Sequence, residues 1–266
     1  MGNSYLSKFY SDGFFGFGEE GDFQYWSLAH FLPILLTVAL IYLIFRYRAF
    51  FRTWKHEENF RFFMGGAMLL VEMSYFWRLL YVGSSDPGEV IDLMDKLPLQ
   101  VCEWSCIFAS FMMMKKSENI YQICFFVCLS AGLFPLLTPA VITKTGPAYY
   151  RYYQYWLEHL LPIIGLFYMT FVHGFRARFH GVFYAVAFLG VLAVFAVICN
   201  LNIPGANYLY LVTEPDTPTI ADVLPNSIGI RLLIFAAVIF TLFFTIYAIS
   251  RFFEKRADAQ KNTENV

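Results

Sequence analysis

Apolar residues along this chain run in long unbroken stretches, not in the alternation of a half-buried strand or the single stripe of a soluble helix. The stretches cover roughly 27–45, 62–82, 97–114, 120–141, 154–173, 180–201 and 228–250. Each is near the ~20 residues an α-helix needs to cross a hydrocarbon layer of ~30 Å. Most lack the polar face a soluble helix would turn to water. The pattern predicts an all-α fold, a polytopic membrane bundle of seven transmembrane helices. Segment 1–26 is then extracytoplasmic, 27–250 forms the membrane domain and 251–266 is a cytoplasmic tail too short to fold alone.

Composition agrees: of 266 residues, 58% are hydrophobic and only 15% charged, where a soluble domain carries about 25% charged residues. The net charge of -1 is less telling than where the basic residues fall. Arg46, Arg48, Arg52, Lys55, Arg61, Lys115, Lys116, Arg176, Arg178, Arg251, Lys255, Arg256 and Lys261 cluster at one set of span ends, against Lys8, Lys96, Lys144 and Arg151 at the other. Basic loops stay in the cytoplasm. The N-terminus is therefore expected outside and the C-terminus inside, in a multi-pass protein of the cell membrane. The basic residues line that interface without forming a separate patch, so no nucleic acid is expected as a partner. The sequence leaves the oligomeric state open.

Outside the spans, Gly83-Ser84-Ser85-Asp86-Pro87-Gly88 reads as a turn-rich outer connection. Segment 202–227 holds Pro204, Gly205, Pro215, Pro218 and Pro225 and is too polar to span, so its apolar patches should lie against the bundle mouth. Tyr149, Tyr150, Tyr152, Tyr153, Tyr155 and Trp156 fit an interfacial aromatic belt. No cleavable leader is expected, because the first 26 residues lack an apolar h-region ahead of Glu19, Glu20 and Asp22. Leu6 stands where a myristoylation signal needs Ser or Thr.

The chemistry lies in polar residues placed in an apolar solvent. An ionisable side chain near the centre of a membrane helix costs about 2.5–3.5 kcal/mol on insertion scales, so each needs a reason. His30 falls in the first span, Glu72 and Arg78 in the second, and Gln100, Cys102 and Glu103 in the third. Glu158 and His159 fall in the fifth and Arg231 in the seventh. Alternate helices run in opposite directions, which brings these positions to one layer in the outer third of the membrane. They predict a polar cavity open to the outer face. Mutual pairing that merely locks the helices, as Glu72 with Arg78, is the competing account.

A thiol beside an imidazole is a nucleophile with a general base, and both Cys102 and His159 sit at the depth of lipid ester bonds. Acyl transfer or hydrolysis on a lipid would use them as nucleophile and base; a buried, inert thiol is the alternative for Cys102, and the commoner fate of a cysteine. Arg78 and Arg231 are candidates to hold the lipid phosphate, and Gln100 or Asn207 to donate to an oxyanion. Tyr208, Glu103, Glu72 and His30 complete the expected lining. Glu158 and His159 are neighbours ~100° apart on a helix, so one of them is expected to face elsewhere. Cys102 with Cys106, and Cys124 with Cys128, are spaced to share a helix face, yet Cys is common at helix contacts. No metal and no cofactor is expected.

Leu97-Pro98-Leu99-Gln100-Val101-Cys102-Glu103 opens the third span and Tyr155-Trp156-Leu157-Glu158-His159 the fifth. With Asn207-Tyr208-Leu209-Tyr210-Leu211 and the run Glu214-Pro215-Asp216-Thr217-Pro218, they resemble the YwaF-like bacterial membrane proteins, which are similar to vertebrate transmembrane protein 164. The resemblance extends from about Gly16 to Arg251. It implies a phospholipid acyltransferase with the cysteine of the Leu-Pro-Leu element as nucleophile and a histidine on a later helix as its partner. Those roles fall on Cys102 and His159. Gln100 stands where the resemblance leads one to expect His, and Glu103 where it leads one to expect Asp.

Two other classes compete. A transporter or proton-coupled carrier would use Glu72, Arg78 and His159 as a relay, with Pro135, Pro139 and Pro162 as breaks in the spans, though the two halves of the chain show no evident repeat. A retinal protein needs a lysine in its last helix, and 228–250 has none.

Overall fold

The computed structural model describes residues 13–16, 23–85, 97–137, 139, 146–212, 225 and 227–264. Among them there are helices and no strands. The long ones are α1 Leu28–Arg46, α3 Glu57–Ser85, α4 Val101–Lys115, α5 Glu118–Leu137, α6 Tyr150–His173, α7 Phe179–Asn202 and α8 Ile228–Glu264. A short α2, Arg48–Thr53, links α1 to α3, and a 3-10 turn, Tyr208–Tyr210, follows α7.

The apolar runs and the helices coincide, with instructive differences at their ends. α3 begins at Glu57, ahead of the apolar run, because Glu57 and Glu58 suit the positive end of the helix dipole. α4 begins only at Val101, since Pro98 cannot continue a helix backwards and Gln100 is its extended N-cap. α8 runs past 250 to Glu264, because the polar tail is rich in good helix formers.

Among the described residues five helices, α1, α5, α6, α7 and α8, are long and apolar enough to cross a membrane. α4 has 15 residues, roughly 22 Å of rise. α3 has 29 residues but carries Glu57, Glu58, Arg61, Glu72 and Arg78. Leu32, Leu35, Leu36, Val191, Phe195, Leu233 and Phe253 stand exposed on the outer helices. So much apolar surface is stable only against lipid.

α6 is the central helix and packs against α1, α2, α3, α4 and α5. Around it, α3, α4 and α5 form the inner layer, α7 covers α5, and α8 leans on α7. Close approach of α3 and α4 requires Gly65: a Cβ there would lie 2.9 Å from the Ser110 carbonyl oxygen. The Ser110 hydroxyl instead donates to the Gly65 carbonyl at 2.7 Å, the small-residue contact typical of membrane helices.

One end of the bundle is tied by the basic residues. Arg52 donates to the carbonyls of Phe171 and Val172 at the C-terminus of α6. Glu57 takes Arg61 at 2.9 Å and His173 at 2.7 Å, and accepts the Tyr168 hydroxyl. Arg178 pairs with Glu118 at 2.8 Å. The candidate chemistry sits toward the other end. Of the outer features expected from sequence, Lys8, Lys96, Lys144, residues 86–88 of the turn-rich connection and the Glu214–Pro218 run lie outside the described residues, while 83–85 form the end of α3.

Candidate functional site

Cys102 is the second residue of α4, and its placement begins with the Leu-Pro-Leu element. The Leu97 N–H donates to the Tyr208 hydroxyl at 2.8 Å, and the Trp104 indole folds back to the Pro98 carbonyl at 2.7 Å. Glu103 accepts the Gln100 backbone N–H at 2.9 Å, closing the first turn of α4 on itself. The Gln100 side chain accepts the Leu209 N–H at 3.2 Å. Tyr208 is itself held by Asn200, which accepts its N–H at 2.7 Å and donates to its carbonyl at 3.0 Å. Asn207 accepts the Val212 N–H. Leu209 and Tyr210 adopt φ of 57° and 52°. That left-handed backbone costs about 1–3 kcal/mol per residue and persists only where its surroundings impose it.

α6 supplies the other half. The Cys102 sulfur, a Glu158 carboxylate oxygen and a His159 ring nitrogen all lie within 4.8 Å of one another. Glu158 and His159 thus do meet at one spot, against the expectation from their ~100° separation. α4 packs directly against α6, which brings the Cys102 sulfur within reach of both side chains. Glu158 and His159 are buried, whereas Cys102 is half-buried.

Each partner is fixed from behind. Nδ1 of His159 lies 2.7 Å from the Tyr155 carbonyl oxygen. Glu158 Oε2 accepts the Gln154 amide at 2.9 Å and Arg151 at 3.4 Å. Arg151 also donates to Gln154 and lies over the Tyr75 ring at 4.5 Å. Glu72, on α3, is buried, and its Oε2 has no hydrogen-bond partner among the described residues.

His30, Arg78 and Arg231 are each engaged with backbone carbonyls. His30 donates from Nε2 to the Leu136 carbonyl at 2.8 Å and accepts the Trp26 N–H at Nδ1, so its ring joins the start of α1 to the end of α5. Arg78 donates to the carbonyls of Phe15 and Gly16, fastening segment 13–16, whose Phe14 carbonyl takes the Tyr150 N–H. Arg231 is fully buried and donates to the carbonyls of Pro225 and Tyr210. Glu72 and Arg78 have no ion pair with each other. Cys106 donates to the Met68 carbonyl and Cys128 to the Ser105 carbonyl, which makes them packing thiols.

Arg151 and Gln154 went unremarked as site residues in the sequence, Arg151 having been counted as an outer loop charge. The signal was there: 151, 154, 158 and 159 recur at helical spacing and share one side of α6.

Compared with known proteins, a profile described as the TMEM164 family matches residues 25–248. No curated protein and no solved structure matches the chain.

Proposed function

Since the chain belongs to the TMEM164 family, we propose that this membrane protein is a phospholipid or lysophospholipid acyltransferase with Cys102 as nucleophile and His159 as base. The observation that carries this reading is the meeting of Cys102, Glu158 and His159 within 4.8 Å, with Nδ1 of His159 already engaged by Tyr155. Nε2 is then the nitrogen left to act on the thiol.

In the first half-reaction Nε2 takes the Sγ proton as sulfur attacks the ester carbonyl carbon of the donor lipid. The ester C–O bond breaks, and the leaving alkoxide collects the proton from His159 as a lysolipid. Cys102 now carries the acyl group as a thioester. In the second half, the acceptor hydroxyl gives its proton to Nε2 and attacks the thioester carbonyl. The C–S bond breaks and sulfur recovers the proton. Water in place of the acceptor makes the same site a hydrolase. The proposal includes seven membrane crossings with the N-terminus outside, the site in the outer third of the cell membrane, and Gln100, Glu103, Asn207 and Tyr208 as supports of the α4 entrance through their bonds around the Leu-Pro-Leu element.

The test is intact-protein mass spectrometry after incubation with mixed phospholipids, wild type against Cys102→Ala. A hydroxylamine-labile, acyl-sized mass on wild type alone supports the reading and identifies the donor chain. Absence of both adduct and lysolipid turnover overturns it in favour of a proton-coupled carrier, for which the buried Arg151–Glu158 pair and Glu72 would be the relay.

A further inference from the structure

The donor set at Cys102 is specific: one sulfur, one imidazole nitrogen and one carboxylate oxygen within 4.8 Å. Around a tetrahedral zinc ion, with bonds of ~2.0–2.3 Å, ligand atoms stand roughly 3–4 Å apart. Small side-chain rotations close that difference.

The surroundings fit a metal centre. A ligating histidine usually gives its other N–H to a carbonyl or carboxylate, which fixes the tautomer and aims the free nitrogen. His159 has that arrangement with Tyr155. Ligating carboxylates are hydrogen-bonded from behind, and Glu158 is held at Oε2 by Gln154 and Arg151, which leaves Oε1 for a ligand. Independently, Glu72 Oε2 is buried and has no partner among the described residues. Glu72 lies one residue from Val71, whose carbonyl accepts the same Gln154 amide that holds Glu158, though its carboxylate stands outside the 4.8 Å group.

We propose that Cys102, Glu158 and His159, completed by Glu72, bind one thiophilic divalent cation of the zinc class. Uptake releases the thiol proton to solvent; one Sγ lone pair and the His159 nitrogen are then held by the cation, which lowers the nucleophilicity of the sulfur and removes its base. The cation is thereby a reversible inhibitor of acyl transfer. That regulatory half rests on the acyltransferase reading, whereas the binding site does not.

The experiment uses the full chain in detergent, stripped with chelator and titrated with Zn2+, or with Co2+ as a spectroscopic probe. Wild type should retain about one equivalent after desalting, and cobalt should give thiolate-to-metal charge-transfer absorption that Cys102→Ser lacks. Glu72→Gln should weaken zinc binding about tenfold or more. On unmodified wild type, zinc should protect Cys102 from maleimide, a readout independent of whether any variant folds. No retained metal, or an alkylation rate of Cys102 indifferent to zinc, overturns the proposal. An acyl adduct on metal-free protein that binds no zinc would leave the acyltransferase reading standing alone. Zinc binding with no adduct in either state would do the reverse.

Discussion

Nδ1 of His159 lies 2.7 Å from the carbonyl oxygen of Tyr155, one turn earlier on α6. A carbonyl can only accept, so Nδ1 carries the proton and Nε2 is the unprotonated nitrogen. The tautomer needed to accept a thiol proton is thus fixed by the helix itself, without a separate orienting carboxylate. Glu158 stands beside the ring and is held by Gln154 and Arg151.

General bases typically contribute about 10²–10⁴ in rate. His159→Ala should slow labelling of Cys102 by a thiol-reactive lipid analogue at neutral pH by a factor in that range. Tyr155→Phe keeps the backbone carbonyl and should leave labelling nearly unchanged. Equal labelling of wild type and His159→Ala would remove the histidine from the base role.

Cys102→Ser should cut acyl transfer by orders of magnitude while the protein keeps its thermal unfolding midpoint in detergent. Hydroxyl and thiol are close in size, and Cys102 is only half-buried, so packing is little disturbed. A variant with full activity would end the nucleophile assignment.

Arg151→Ala should destabilise the fold as well as the reaction. Removing Arg151 leaves the buried Glu158 carboxylate without its cation, at a cost below the ~3–5 kcal/mol of a fully buried pair, because Arg151 is part-exposed. The expected result is a clear drop in unfolding midpoint that Arg151→Ala with Glu158→Gln partly restores. A drop of equal size in the double variant would show the two side chains to be uncoupled.

Tyr208→Phe removes the hydroxyl that receives the Leu97 N–H, a loss of about 1 kcal/mol. The Leu-Pro-Leu element should loosen, and acylation should slow more than unfolding advances. Arg231→Gln, by contrast, loses bonds to the Pro225 and Tyr210 carbonyls and should lower the unfolding midpoint without raising KM. A raised KM at unchanged stability would instead assign Arg231 to the lipid phosphate.

What the sequence by itself determined is the helical, membrane-embedded character of the chain and the place of each long helix. Apolar runs of spanning length are a one-dimensional property, and the solvent they require can be read without knowing which helix touches which. Cys102 and His159 were also legible, because an ionisable or nucleophilic group among apolar neighbours stands out in any arrangement. Only the tertiary structure decided which of the polar residues belong together. His30, Arg78 and Arg231 have the same signature in sequence as the site residues, yet each donates to backbone carbonyls, among them those of Leu136, of Phe15 and Gly16, and of Pro225 and Tyr210. Arg151 went the other way: a loop charge in sequence, it pairs with the buried Glu158 carboxylate. The physical reason is that depth along a helix is encoded by residue number, while the direction a side chain faces matters only through what packs there. For Glu158 and His159 that was set by α4 packing directly against α6.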